Sequence, residues 1–194
     1  MKQALIVDCC IRGEESRTRQ LLDAFCASLD DEYVQTRLDL QAENLRYFTQ
    51  DYLDERQKLL EKGELTHPRF RYAHQFAQAD LIVIAAPFWD LSFPALLKVY
   101  IEQISLDGIT FTTETGALTG SCRAEQLVFL TTRGGFYTGD AQEMGSRYLD
   151  ALHTFFGIGA YSCIAADGMD VQGFDGKASL ECAKHAAAEL AAAL

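Results

Sequence analysis

Short apolar runs alternate along this chain with longer stretches in which apolar residues recur three and four positions apart. The clearest run, Leu81-Ile82-Val83-Ile84-Ala85, has no polar alternation. Such a run predicts a parallel strand covered on both faces. Residues 3–8, 33–38, 126–131 and 160–165 predict four more strands. Between them, Ser16 can cap a helix running to about residue 29, with Leu21, Leu22, Phe25 and Leu29 on one face. Further helices are predicted at 51–62 with Gly63 as the stop, at 69–79, from Pro94 to about 105, at 144–156 closed by Gly157, and from about 176 onward. Pro94 is placed at the first helical position, where its missing N–H costs nothing. Residues 108–113 are strand-like and 116–120 form a turn. Five strands separated by helices predict an α/β fold: a doubly wound parallel sheet, helices on both faces and right-handed crossovers. No repeat, linker or break in composition divides residues 1–194, so one domain is expected.

Open sheets of this kind bind ligands at the carboxyl ends of their strands. Residues 9–16, 86–93 and 132–140 then gather at one edge. The first of these loops faces a helix N-terminus, where unpaired N–H groups and the helix dipole favour an anion. Ser16 and Thr18 add hydroxyls, and Arg12, Arg17 and Arg19 add positive charge that Glu14 and Glu15 partly cancel. Neither G-x-G-x-x-G nor G-x-x-x-x-G-K-[ST] is present, which leaves a phosphomonoester as the natural guest. Ser16 as a plain helix cap is an equal reading. In the second loop, Pro87 and Pro94 bracket Phe88 and Trp89, which suit a flat conjugated ligand or simple edge packing. In the third, Gly134-Gly135 can bring backbone donors close to a carbonyl-rich ring, or merely turn the chain. A phosphate pocket, an aromatic shelf and a donor-rich glycine turn together suit flavin mononucleotide (FMN).

Composition narrows the function classes. Hydrophobic residues make up 48% and charged residues 23%, as in ordinary soluble proteins. A formal net charge of −11 argues against nucleic acid and anionic membranes, both of which would repel the chain. No run approaches the roughly 20 apolar residues of a membrane span, and the apolar start is too short for a secretion signal. A cytoplasmic location follows. The six cysteines include no C-x-x-C and the four histidines have no ligand-like spacing, so no metal is expected and the thiols are taken as reduced.

The chain resembles the flavodoxin-like-fold quinone reductases, above all the FMN-dependent NADH-azoreductases. The residues that carry the likeness are Ser16-x-Thr18, Ala86–Gln103 with its Pro87, Pro94 and Lys98 pattern, Gly108–Phe111, the 116–120 turn, and Thr132-Arg133-Gly134-Gly135. The resemblance implies a homodimer with FMN near the interface, and hydride transfer from NADH or NADPH through the flavin to a quinone or azo compound. It implies phosphate binding by Cys10, Ser16, Arg17 and Thr18, and ring contacts from Pro87, Phe88, Trp89, Asp90 and Leu91. Thr132, Arg133, Gly134 and Gly135 would lie at the ring's other side. Tyr137 could give a proton or hydrogen bond to a bound quinone, or serve only as a pocket wall. Three departures stand out: Cys10 where the family has serine, Asp90 where asparagine is frequent, and a divergent stretch at 41–66. A flavodoxin-type electron carrier is the alternative, favoured by the acidity and opposed by the missing T-G-x-T loop. A member that has lost FMN is a third reading, suggested by Cys10 and Asp90.

Overall fold

The computed structural model describes residues 1–114 and 116–194. Its elements follow in order as β1 (Lys2–Asp8), α1 (Arg17–Ser28), β2 (Tyr33–Asp39), α2 (Gln50–Glu61), α3 (Arg71–Gln78), β3 (Leu81–Ala85), α4 (Ala95–Ile104), β4 (Phe111–Thr112), β5 (Thr119–Gly120), β6 (Gln126–Thr132), α5 (Gly145–Phe156), β7 (Ala160–Ala166) and α6 (Gly176–Ala192). Five parallel strands form one sheet in the order β2-β1-β3-β6-β7, and β4 and β5 make a short antiparallel pair. The chain winds one way from β1 to β2 and the other way from β3 onward, so the switch point where open sheets bind ligands lies between β1 and β3.

Strand periodicity explains why both faces are covered. Leu5, Val7, Ile82, Ile84, Leu127 and Phe129 point to one side, where α3, α4 and α5 supply Phe76, Tyr100, Ile101, Leu149 and Phe156. Ala4, Ile6, Leu81, Val83, Val128 and Leu130 point to the other, against Leu21, Leu22 and Phe25 of α1 and Ala183, Ala187 and Ala191 of α6. The alanines recur every four residues, which gives α6 a narrow face that lies close to α1.

The expected strands and helices are present, with two differences. Pro94 stands just before α4, not inside it: its ψ of 144° is extended, so it is the N-cap. The 69–79 segment opens as a 3-10 turn over Pro68–Phe70 and becomes α-helical only at Arg71. The 41–66 stretch holds α2, none of whose residues is fully buried; Leu59 and Leu60 pack half-buried against the core, and polar contacts add to them. Arg56 donates to the Ser105 carbonyl at 2.7 Å, and the Arg69 guanidinium lies 3.7 Å from the Tyr52 ring centroid. At the far edge, β5 presses backbone to backbone on the end of α5. A Cβ on Gly120 would fall 2.0 Å from the Gly157 nitrogen, so only glycine fits there. Among the described residues no helix is long and apolar enough to cross a membrane.

Candidate functional site

The loops after β1, β3 and β6 meet at the carboxyl edge, and the strand ladder continues into them. The Ala86 amide donates to the Leu130 carbonyl at 3.1 Å and the Phe88 amide to the Thr132 carbonyl at 3.1 Å. The Arg133 amide donates to Ala166 at 2.9 Å. A fourth segment, after β7, joins them: the amides of Gly168, Met169 and Asp170 donate to the carbonyls of Gly135, Arg133 and Gly134 at 2.9–3.0 Å. Sequence reasoning omitted this segment. The signal was present, since the last strand of a parallel sheet ends at the same edge and Asp167-Gly168 is a turn dipeptide.

A cavity of about 110 Å³ opens between these loops, lined by Ser16, Arg17 and Thr18, by Pro87, Phe88 and Trp89, by Thr132, Arg133 and Gly134, and by Met169 and Asp170, with Arg12 and Glu15 at its rim. Nine of the thirteen cofactor residues expected from the sequence are thus brought together. Cys10, Asp90, Leu91 and Gly135 do not line it. Cys10 is buried in the core between the sheet and α1, where desolvation and the neighbouring Asp8 carboxylate push its thiol pKa up. Asp90 and Leu91 form the tip of a hairpin closed by the Trp89 and Ser92 backbones at 2.8–3.0 Å. Their φ angles of 49° and 68° are both left-handed, as a type I′ turn demands. Tyr137 packs its ring, tilted by 45°, with its centroid 4.5 Å from that of Phe88, and lines a broader groove of about 800 Å³ behind the loop.

Ser16 serves as the helix cap: its Oγ accepts from the Arg19 amide at 3.2 Å. That use leaves the hydroxyl proton available to a ligand. In an α-helix the first four N–H groups have no intrahelical partner. The cap takes that of Arg19, and no acceptor is found for those of Arg17 and Thr18 among the described residues. Thr18 Oγ1 lies 2.7 Å from Thr132 Oγ1, a buried bond that pins α1 to the end of β6. The chain bends at Gly134 and Gly135, and neither glycine has a positive φ. Gly134 serves closeness instead, since a Cβ there would sit 2.9 Å from the Asp170 carboxylate.

Charge around the cavity is nearly all paired. Arg12 bonds Glu15 at 3.3 Å and Arg17 bonds Asp170 at 2.8 Å. Arg19 is turned inward to Asp8, which is fully buried. Asp8 Oδ2 accepts from Arg19 Nη2 at 2.9 Å and from Arg37 Nη2 and Nε at 2.8 and 3.0 Å, while Oδ1 accepts from the Cys10 amide at 2.9 Å. Burial alone would raise the Asp8 pKa, but these hydrogen bonds and the Arg19 charge outweigh it and hold the carboxyl below its usual range. Arg133 is buried too, between Glu143, Asp167 and Thr138 at 3.2–3.3 Å, with its Nε unpartnered. It clamps the glycine turn rather than offering a free charge.

The residues fit an FMN phosphate end. The free helix N–H groups and the Ser16 hydroxyl suit a phosphomonoester, while a tricyclic ring would lie outside on Phe88 and Trp89. Among the described residues no cluster of His, Cys, Asp and Glu could hold a metal ion.

A family model described as the flavodoxin-like fold matches residues 2–191. An FMN-dependent NADH:quinone oxidoreductase of Clostridium perfringens is 37% identical over 187 residues, covering 93% of each chain. One from Clostridium acetobutylicum is 41% identical over 170 residues, covering 82% of each. The crystal structure of an azoreductase from Bacillus anthracis superposes over 100% of both chains with a TM-score of 0.89 and 25% identity. By the extent of these matches, the chain belongs to the flavodoxin-like fold family.

Proposed function

We infer that this protein is an FMN-dependent oxidoreductase that takes hydride from NADH and delivers it to quinones, with azo compounds as further acceptors. The observation that carries the reading is the convergence of a capped helix N-terminus, an aromatic shelf and a close-approach glycine on one cavity at the switch point of the sheet. The named relatives match the chain nearly end to end and are FMN-dependent NADH:quinone oxidoreductases. Bound FMN would supply the hydride-accepting ring.

The chain's own residues bind and orient. The N–H groups of Arg17 and Thr18 and the Ser16 hydroxyl hold the phosphate. Phe88 and Trp89 support the ring, and the backbone of Thr132–Gly135 borders it; Arg133 keeps that backbone in place. Tyr137, packed on Phe88, is the candidate donor to a bound quinone, and Tyr137→Phe would slow quinone turnover if it is one. Trp89, Leu91, Phe136, Met144 and Phe174 are exposed apolar residues on the loops of this edge. Such a patch suits coverage by a second copy of the chain, and a homodimer would run at twice the monomer mass in light scattering. All six cysteines are free thiols, which supports a reducing, cytoplasmic setting.

The test is a visible spectrum of the protein with FMN, followed anaerobically as NADH and then a benzoquinone are added. Bleaching by NADH and recovery with quinone are expected. Bound flavin that NADH does not bleach would refute the enzyme reading in favour of an electron carrier.

A further inference from the structure

The Arg17–Asp170 pair has a geometry that the binding of FMN does not explain. Both residues line the cavity, and they meet across it from opposite walls: Arg17 at the start of α1, Asp170 on the segment after β7. Asp170 Oδ1 accepts from Arg17 Nη1 at 2.8 Å. The other carboxylate oxygen rests against Gly134, on the third wall. The Asp170 main chain is held in place, because its amide donates to the Gly134 carbonyl at 2.9 Å. A carboxylate is therefore fixed at an anion site and engages the one cavity arginine that is not bonded to its own loop or turned inward.

We propose that Asp170 is an affinity- and specificity-determining residue that competes with the flavin phosphate for Arg17. The proposal rests on the FMN reading above. Binding FMN exchanges a carboxylate–guanidinium pair for a phosphate–guanidinium pair and brings a second anion beside Asp170. Both consequences weaken a phosphorylated ligand, and neither bears on riboflavin, which has the same ring and no phosphate. Asp170 thus narrows the margin by which the site prefers FMN to riboflavin and keeps the cofactor exchangeable. The pair is solvent-exposed, with side-chain accessibilities of 41% and 68%, so the effect is modest.

The test is flavin fluorescence quenching, which reads binding without turnover. Dissociation constants for FMN and riboflavin are measured on the unaltered protein, Asp170→Asn, Arg17→Ala and the double variant, with Asp170→Ser as a second way to remove the charge. The expected result is FMN binding about three- to ten-fold tighter in Asp170→Asn, riboflavin unchanged within two-fold, and a clearly smaller gain from Asp170→Asn when Arg17 is absent, where only the repulsion is relieved. Unchanged FMN affinity in Asp170→Asn and Asp170→Ser would overturn the proposal while leaving the FMN reading intact. Equal tightening of riboflavin, or full tightening without Arg17, would overturn it as well. No FMN binding by any of the proteins would refute the FMN reading and this proposal with it.

Discussion

Asp8→Asn is the sharpest perturbation of the scaffold beneath the site. Asp8 is 0% exposed and its oxygens accept four N–H groups, three of them from guanidiniums. Asparagine has one carbonyl oxygen. Whichever way it turns, its amide group meets either the Cys10 N–H or the two arginines, donor against donor. Breaking a buried ion pair costs about 3–5 kcal/mol. Arg37 is 40% exposed and regains water, which lowers the expected loss to about 2–3 kcal/mol. For a chain of this size that is a fall in Tm of about 4–12 °C. The depressed folded pKa of Asp8 gives a second signature. Its contribution is fully present above the unfolded carboxyl pKa of about 3.9 and is lost as pH falls through the lower folded value. Urea denaturation at pH 7 and at a series of pH values below 4 checks both. Equal stability of the two proteins at pH 7, or a difference that persists undiminished as the carboxyl protonates, would refute the reasoning.

Leu91 occupies a left-handed backbone position that costs a branched residue about 1–2 kcal/mol. Part of that is offset by the chain entropy glycine loses on folding, so Leu91→Gly is expected to raise stability by about 0.5–1 kcal/mol in urea. Gly120→Ala would force a methyl into the Phe156–Gly157 backbone, and differential scanning fluorimetry should show a loss of about 3 kcal/mol or more. Ser16→Ala removes the cap of α1 and should cost about 1 kcal/mol. It should also weaken FMN more than riboflavin, because the hydroxyl faces the phosphate end.

The sheet was legible because its central strands are mostly apolar runs and Tyr33–Leu38 alternates, and the helices because Ser16, Gly63, Pro94 and Gly157 mark their ends. The site was legible as three loops because parallel topology sends alternate loops to one edge. The partners of the arginines were not. Nothing in the spacing of Arg17, Arg19 and Arg133 reveals that one reaches 153 residues along the chain to Asp170, another turns in to Asp8, and the third is buried between Glu143 and Asp167. Charge counted along a loop overstates the field at the ligand when its counter-ions arrive from other strands. Cys10 illustrates the same gap, since one position decides between a cavity wall and a core and the one-dimensional pattern is silent on which side the residue turns.

The hydrogen-bond ladder that runs past the strand ends has a kinetic consequence. The amides of Ala86, Phe88 and Arg133 belong to loops by chain position but to the sheet by their bonds, to Leu130, Thr132 and Ala166. Their hydrogen exchange should be governed by opening of the sheet itself, slow and cooperative, whereas α2, with no fully buried residue, should exchange through local unfolding at much lower free energy. The ligand edge is then a rigid template, and α2, whose contacts run to Ser105 and Arg69 rather than to the ligand loops, can melt and re-form without loosening it.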